Sequence, residues 1–222
     1  TQITVDNAAG IGAGTLTGGS VAAATGAVTD PTGAAGALNY AMVNADPTTA
    51  IAGITVLNNA VADVNTAIGG TLSTTAITQV TADDAGKWIV FADVDGGNVT
   101  GIVAVEVQLN APTNNAIAIS IEDGNGGTKG DVAVTGGTVA NQFYVIVDAA
   151  NAAAAQAEIA NWNVLTTGTE IQTALGTLTA GVSIGNQDNA ANNGKLIVVV
   201  ELDGTALTDK IVSYATAEIT GM

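Results

Sequence analysis

The stretch "GKWIVFADVDGG", residues 86–97, is followed later by "GKLIVVVELDGT", residues 194–205, and this near-repetition decides how the chain is read. In the first copy Trp88, Val90, Ala92 and Val94 alternate onto one face of a strand, and Ile89, Phe91, Asp93 and Asp95 onto the other. The second copy distributes Leu196, Val198, Val200 and Leu202 against Ile197, Val199, Glu201 and Asp203 in the same way. Alternation with apolar residues on both faces predicts a central strand covered on both sides. Its acidic end, next to the turn, is expected to be solvated.

The likeness extends outward from these strands. "VLNNAVADVNTAIGGTL" from Val56 resembles "VLTTGTEIQTALGTL" from Val164, and "ITVDNAAG" with "LTGGSVA" resembles "ISIEDGNG" with "VTGGTVA". Tyr40 in "NYAMVNADP" likewise answers to Tyr144 in "FYVIVDAAN". The sequence therefore reads as a tandem duplication, with residues 1–110 and 111–222 as two β-rich repeat modules and a seam near "LNAPTNNA". The expected class is mainly β with a few helices (α+β), each module a sheet or sandwich with a packed helix.

Local signals fill in the helices. Asp46-Pro47 supplies a cap and a first-turn proline. The spacing of Val56, Leu57, Ala60, Val61, Val64 and Ile68 predicts a helix running from Thr55 to the stop at Gly69-Gly70. Asp148 is placed to cap "AANAAAAQAEIANW", where Ile159 and Trp162 form the buried stripe. "VTGIVAVEVQL" and "LTDKIVSYATAEI" read as the returning hairpin partners of the two repeated strands.

Composition removes several classes of function. The net charge is −16, from 20 acidic residues and four lysines, which nearly excludes nucleic-acid binding because so few cations face a phosphate backbone, and an anionic membrane surface repels the chain. No window reaches the roughly 18–20 apolar residues of a membrane span, so no membrane insertion is expected. The chain has no histidine and no cysteine, which excludes thiol nucleophiles, disulfides and the usual zinc ligands and general base. "GVSIG", residues 181–185, has the pattern of a nucleophile elbow around Ser183, yet a triad needs a base this chain lacks. It reads better as a strand between turn glycines. "GIGAGT" at residues 10–15 and "DGNGGTKGD" at residues 123–131 complete no phosphate-binding motif and read as hairpin turns. The chain is not expected to be an enzyme.

Acidic clusters remain as ligand candidates. "DVDGGN" offers Asp93, Asp95 and Asn98; "IEDGNGGTKGD" offers Glu122, Asp123, Asn125 and Asp131; "ELDG" with "TD" offers Glu201, Asp203 and Asp209. Carboxylate, amide and carbonyl oxygens in Gly-rich turns are the donors Ca²⁺ takes, although no complete EF-hand loop or calcium nonapeptide is written. The competing reading, favoured by the abundance of turn formers, is solvated hairpin tips. "NVT" from Asn98 is also an N-glycosylation acceptor pattern.

The strand, acidic turn and strand units, with their Ala, Thr, Gly, Val, Asn and Asp bias, resemble modules of secreted bacterial and archaeal surface proteins of the S-layer and RTX-adhesin kind. That resemblance implies an extracellular, cell-surface protein that assembles with copies of itself, with Ca²⁺ as a possible ion, no required cofactor, and export through an uncleaved C-terminal signal such as "IVSYATAEITGM". Donation of "TQITV" to an adjacent subunit is one form such assembly takes. A similar pattern occurs in phage tail and capsid-associated modules, so a tail-tube or capsid-decoration component is the alternative. An adhesive or carbohydrate-binding module is a further one, which needs exposed rings where Trp88, Phe91 and Trp162 are expected to be buried.

Overall fold

The computed structural model describes residues 2–5, 16–54, 59–112, 116–122, 130–187 and 192–220. It divides the chain into two compact units, Thr1–Leu109 and Asn110–Met222. The fold is mainly β with few helices, as the alternation of the repeated strands predicts.

The first unit contains strands β1 (Gln2–Val5), β2 (Thr17–Val21), β3 (Val28–Thr32) and β4 (Ala37–Val43), helix α1 (Thr48–Gly53), β5 (Asn59–Ala60), helix α2 (Val61–Ile68), β6 (Trp88–Asp95) and β7 (Asn98–Glu106). The sheet order is β1-β7-β6-β4, with β5 also paired to β7, and every pairing is antiparallel. One face of β6 presents Trp88, Val90 and Ala92 to a core built with Ile51 and Ile54 from the α1 region and Val64 and Ile68 from α2. The other face presents Ile89 and Phe91, both at 0% exposure. The β2–β3 hairpin lies on that face: a Cβ at Gly19 would touch the Phe91 ring at 3.4 Å, and Tyr40 Oη donates to Asp30 Oδ2 at 2.9 Å. Burying side chains of this size stabilises the fold by about 2–3 kcal/mol each.

The second unit contains β8 (Ile117–Ile121), β9 (Val132–Gly136), β10 (Gln142–Val147), helix α3 (Ala149–Ile159), helix α4 (Gly168–Leu175), β11 (Thr179–Ala180), β12 (Leu196–Leu202) and β13 (Ile211–Glu218). Its sheet runs β11-β10-β12-β13, again antiparallel throughout. Leu196, Val198, Val200 and Leu202 face Ala152, Ala155 and Ile159 of α3, Ile171 of α4, and Trp162 from the connection between the two helices. Ile197 and Val199 face the β8–β9 hairpin through Ile117, with Ile119, Ile121, Val132 and Val134 packed beside it. Both central strands are thus covered on both faces, by helices on one side and a hairpin on the other.

Helix boundaries follow local chemistry. Asp46 Oδ1 accepts from the Thr48 N–H at 2.8 Å, and α2 ends at Gly69, whose left-handed φ of 66° suits glycine. Thr167 and Glu170 form a reciprocal capping box at α4, with the Thr167 N–H donating to Glu170 Oε2 at 2.6 Å. Two expectations need correction. Helix α2 begins at Val61, because Asn59 and Ala60 give their backbone groups to Val99 and Asn98 of β7, while residues 55–58 of the expected helix, with Val56 and Leu57, lie outside the described residues. Asp148 does precede α3, yet its side chain makes no cap hydrogen bond; it faces Lys195 Nζ at 3.3 Å instead.

Candidate functional site

The acidic residues fall into three physical situations. Asp95 and Asn98 flank the turn between β6 and β7, where Gly96 and Gly97 carry φ of 57° and 84°. Successive positive φ values are what a tight two-residue hairpin turn with the strands' own twist requires, and glycine supplies them without a Cβ clash. Asp95 is exposed there and Asn98 half-buried.

Asp93, two residues earlier, is different. It is fully buried, and its carboxylate accepts from the Gly36 N–H at 2.7 Å, the Ala35 N–H at 3.0 Å and Thr100 Oγ1 at 3.0 Å. The loop before β4 therefore lies against the inside of β6, so close that a Cβ at Gly36 would overlap the Val94 carbonyl oxygen. Glu201 holds the corresponding place in the second unit. It is 7% exposed, pairs with Gln142 across the sheet, and its Oε1 accepts from the Thr138 N–H at 2.8 Å. Gln142 Nε2 donates to the Gly136 carbonyl at 2.7 Å, so residues 136–138 are held from two sides. Asp93 and Glu201 are thus not at a solvated strand end: burial of a carboxylate is tolerable where backbone donors satisfy it, and loops remote in sequence supply those donors here. Gln142 Oε1 and Ser213 Oγ, buried on either side of Glu201, have no hydrogen-bond partner among the described residues.

Asp203 and Asp209 brace the connection between β12 and β13, and Asp131 bonds to a distant segment. Asp203 Oδ1 accepts from the Lys210 N–H at 2.9 Å, and Asp209 Oδ2 accepts from the Ala206 N–H at 2.8 Å. Asp131 Oδ1 accepts from Asn186 Nδ2 at 2.6 Å, while Glu122 is exposed. Asp123 and Asn125 lie outside the described residues, as does "GIGAGT". Among the described residues no three acidic groups converge on one point.

Two groups have displaced titrations. Burial pushes the Tyr40 hydroxyl above its ordinary value, and the hydrogen bond to the Asp30 carboxylate adds to this. Asp84 sits below the usual carboxylate value: burial alone would raise it, but the hydrogen bonds from the Thr81 backbone N–H, Lys87 Nζ and the Thr81 hydroxyl, each at 2.9 Å, together outweigh the effect of burial.

Ser183 is exposed and follows a bend at Gly181, not a strand-to-helix turn; the only strand there is Thr179–Ala180, and Ile184 is packed into the hairpin-side core. Trp88, Phe91 and Trp162 are buried at 7%, 0% and 5% exposure, so none forms a stacking platform for a sugar. A groove of about 460 Å³ between α3, α4 and the end of β10 is lined by alanines with Asp148, Asn151 and Glu158.

The sheet edges complete the surface. In the second unit β13 pairs with β12 alone among the described residues, and after a bulge at Val212 its run Ser213–Ala217 carries no charged side chain.

No family model matches the chain, and no curated protein matches it. Domains 7, 8 and 9 of the S-layer protein SbsC are similar in structure, with a TM-score of 0.42 and 19% identity over 95% of this chain. The chain spans 60% of that three-domain fragment.

Proposed function

We propose that this chain is a non-enzymatic structural module, built by tandem duplication, that assembles with copies of itself into an extracellular surface layer or filament. The observation that carries this reading is the outer edge of β13 over Tyr214–Ala217, which pairs with nothing among the described residues and carries no charged side chain in a protein of net charge −16. Soluble sheets ordinarily guard such edges with lysine, proline or a covering element. Both central sheets are already covered on their two faces, so further contact through the sheet is made at an edge.

The acidic surface sets the condition for assembly. Like charge keeps copies apart at low ionic strength, and cations relieve it by screening or by binding at the tips that carry Asp95 and Asp203. Electron microscopy of the purified protein in EDTA and then in millimolar Ca²⁺ tests the reading. Ordered sheets or filaments support it, and their restriction to Ca²⁺ assigns a role to the acidic tips. A monomer under both conditions overturns it.

A further inference from the structure

The two sheets differ at one place. In the first unit the outer edge of β7 is covered twice: Asn59 and Ala60 pair with Val99 and Asn98, and Gln2–Val5 pair with Ile102 through Val105. In the second unit β13 stands to β12 as β7 stands to β6. The start of its outer edge is covered in the same manner, since Thr167 bridges Lys210 and the Ile211 N–H donates to the Thr166 carbonyl at 2.8 Å.

Further along, the correspondence stops. Ala92 faces Ile102 and Ile89 faces Val105 in one sheet, whereas Val200 faces Tyr214 and Ile197 faces Ala217 in the other. Tyr214–Ala217 therefore occupy the positions that β1 covers in the first unit, and among the described residues nothing pairs with their outer edge. The strand that resembles β1 in the second half, β8, is committed elsewhere: it forms a hairpin with β9, and Ile117 is buried in the core beneath it.

We propose that the open edge of β13 is filled by β1 of a second copy of this chain, an inference that rests on the assembly reading above. β1 uses one of its edges on β7 and pairs with nothing else among the described residues, so the link adds a ladder of backbone hydrogen bonds without breaking one. It joins β11-β10-β12-β13 of one molecule to β1-β7-β6-β4 of the next. Neither Gln2–Val5 nor Ser213–Ala217 contains Asp, Glu, Lys or Arg, so two acidic molecules meet where neither strand carries a charged side chain at neutral pH. The opposite edge of the first sheet is less open, because Tyr40 of β4 exchanges backbone hydrogen bonds with Ser73 at 2.8 and 2.9 Å. At the far side of the second sheet β11 is only two residues long. A contact between unlike edges is heterologous, and repeated without closure it gives a filament.

Two edge-blocked variants test this. One carries Val212→Glu with Thr216→Glu, at exposed positions of β13; the other carries Gln2→Glu with Thr4→Glu, on β1. Under conditions where the native protein polymerises, sedimentation velocity is expected to find each variant monomeric alone and an equimolar mixture to form a dimer that grows no further, since each variant keeps the edge the other lacks. That rescue also shows that both variants are folded. Polymers from either variant alone, or a mixture that stays monomeric, overturn the β13–β1 link while native assembly keeps the broader reading intact. A dimer of the β1 variant alone assigns the edge to β13 self-pairing and overturns the link too. A native protein that never assembles removes both readings.

Discussion

Gly36 donates its backbone N–H to Asp93 Oδ1 at 2.7 Å, joining a loop to the interior of a strand 57 residues later in the chain. The contact uses a carboxylate where the surrounding positions are apolar, and its worth lies in the donors it satisfies. Asp93→Ala removes the acceptor shared by the Ala35 and Gly36 N–H groups and Thr100 Oγ1, and is expected to destabilise the first unit by about 1–3 kcal/mol. Asp93→Asn, with one acceptor oxygen in place of two, is expected to lose roughly half as much. Denaturant unfolding followed by tryptophan fluorescence reads both, and equal stability of Asp93→Ala and the native protein would refute the assignment.

Glycine at position 36 has a steric cause. Gly36→Ala drives a methyl into the Val94 carbonyl and is expected to cost about 3 kcal/mol, because backbone on both sides must move. Gly69→Ala meets open space, so it is expected to cost only the left-handed penalty of about 1 kcal/mol. Thermal melts of the two variants side by side should preserve that order.

Tyr40 makes the first unit sensitive to alkali. Its folded hydroxyl holds its proton more tightly than an unfolded tyrosine, which titrates near 10. The associated stability is complete below that value and is lost as pH rises through the folded one. Native protein should therefore lose stability above about pH 10 more steeply than Tyr40→Phe, and parallel curves would contradict this.

Asp84 acts at the opposite end of the scale. Its folded value lies below the ordinary 3.8, so its contribution is present above that value and disappears as pH falls through the lower one. Asp84→Asn should flatten the acid limb of the stability curve, by about 1 kcal/mol or less for so exposed a network. An unchanged acid limb would show that Thr81 and Lys87 do not favour the charged form.

Much of the architecture was legible because it rests on short-range pattern. Alternation in residues 88–95 and 196–202 identifies strands covered on both faces, and the glycines at 69 and 96–97 identify the stops between elements. Asp93 and Glu201 were misplaced at a solvated end because alternation assigns a face but not a partner, and the donors at Ala35, Gly36 and Thr138 lie far away in sequence. A usable signal was present: in both repeats an acid interrupts an apolar run two residues before the acid at the turn. The start of α2 was set too early for a related reason. Val56 and Leu57 have helical spacing, but the pairing of Asn59 and Ala60 with β7 is a tertiary choice that periodicity does not register.

The carboxylate-held loops also set how the molecule breathes. Amide protons in loops ordinarily exchange with solvent through small local openings, ahead of those in strands. The amides of Ala35, Gly36 and Thr138 are bonded to side chains rooted in β6 and β12, so their release requires a bond to a buried carboxylate to break. These three amides are therefore expected to exchange more slowly than the rest of their exposed loops, so that protection in each unit extends past its strands to one anchored point in the loop that enters β4 or β10.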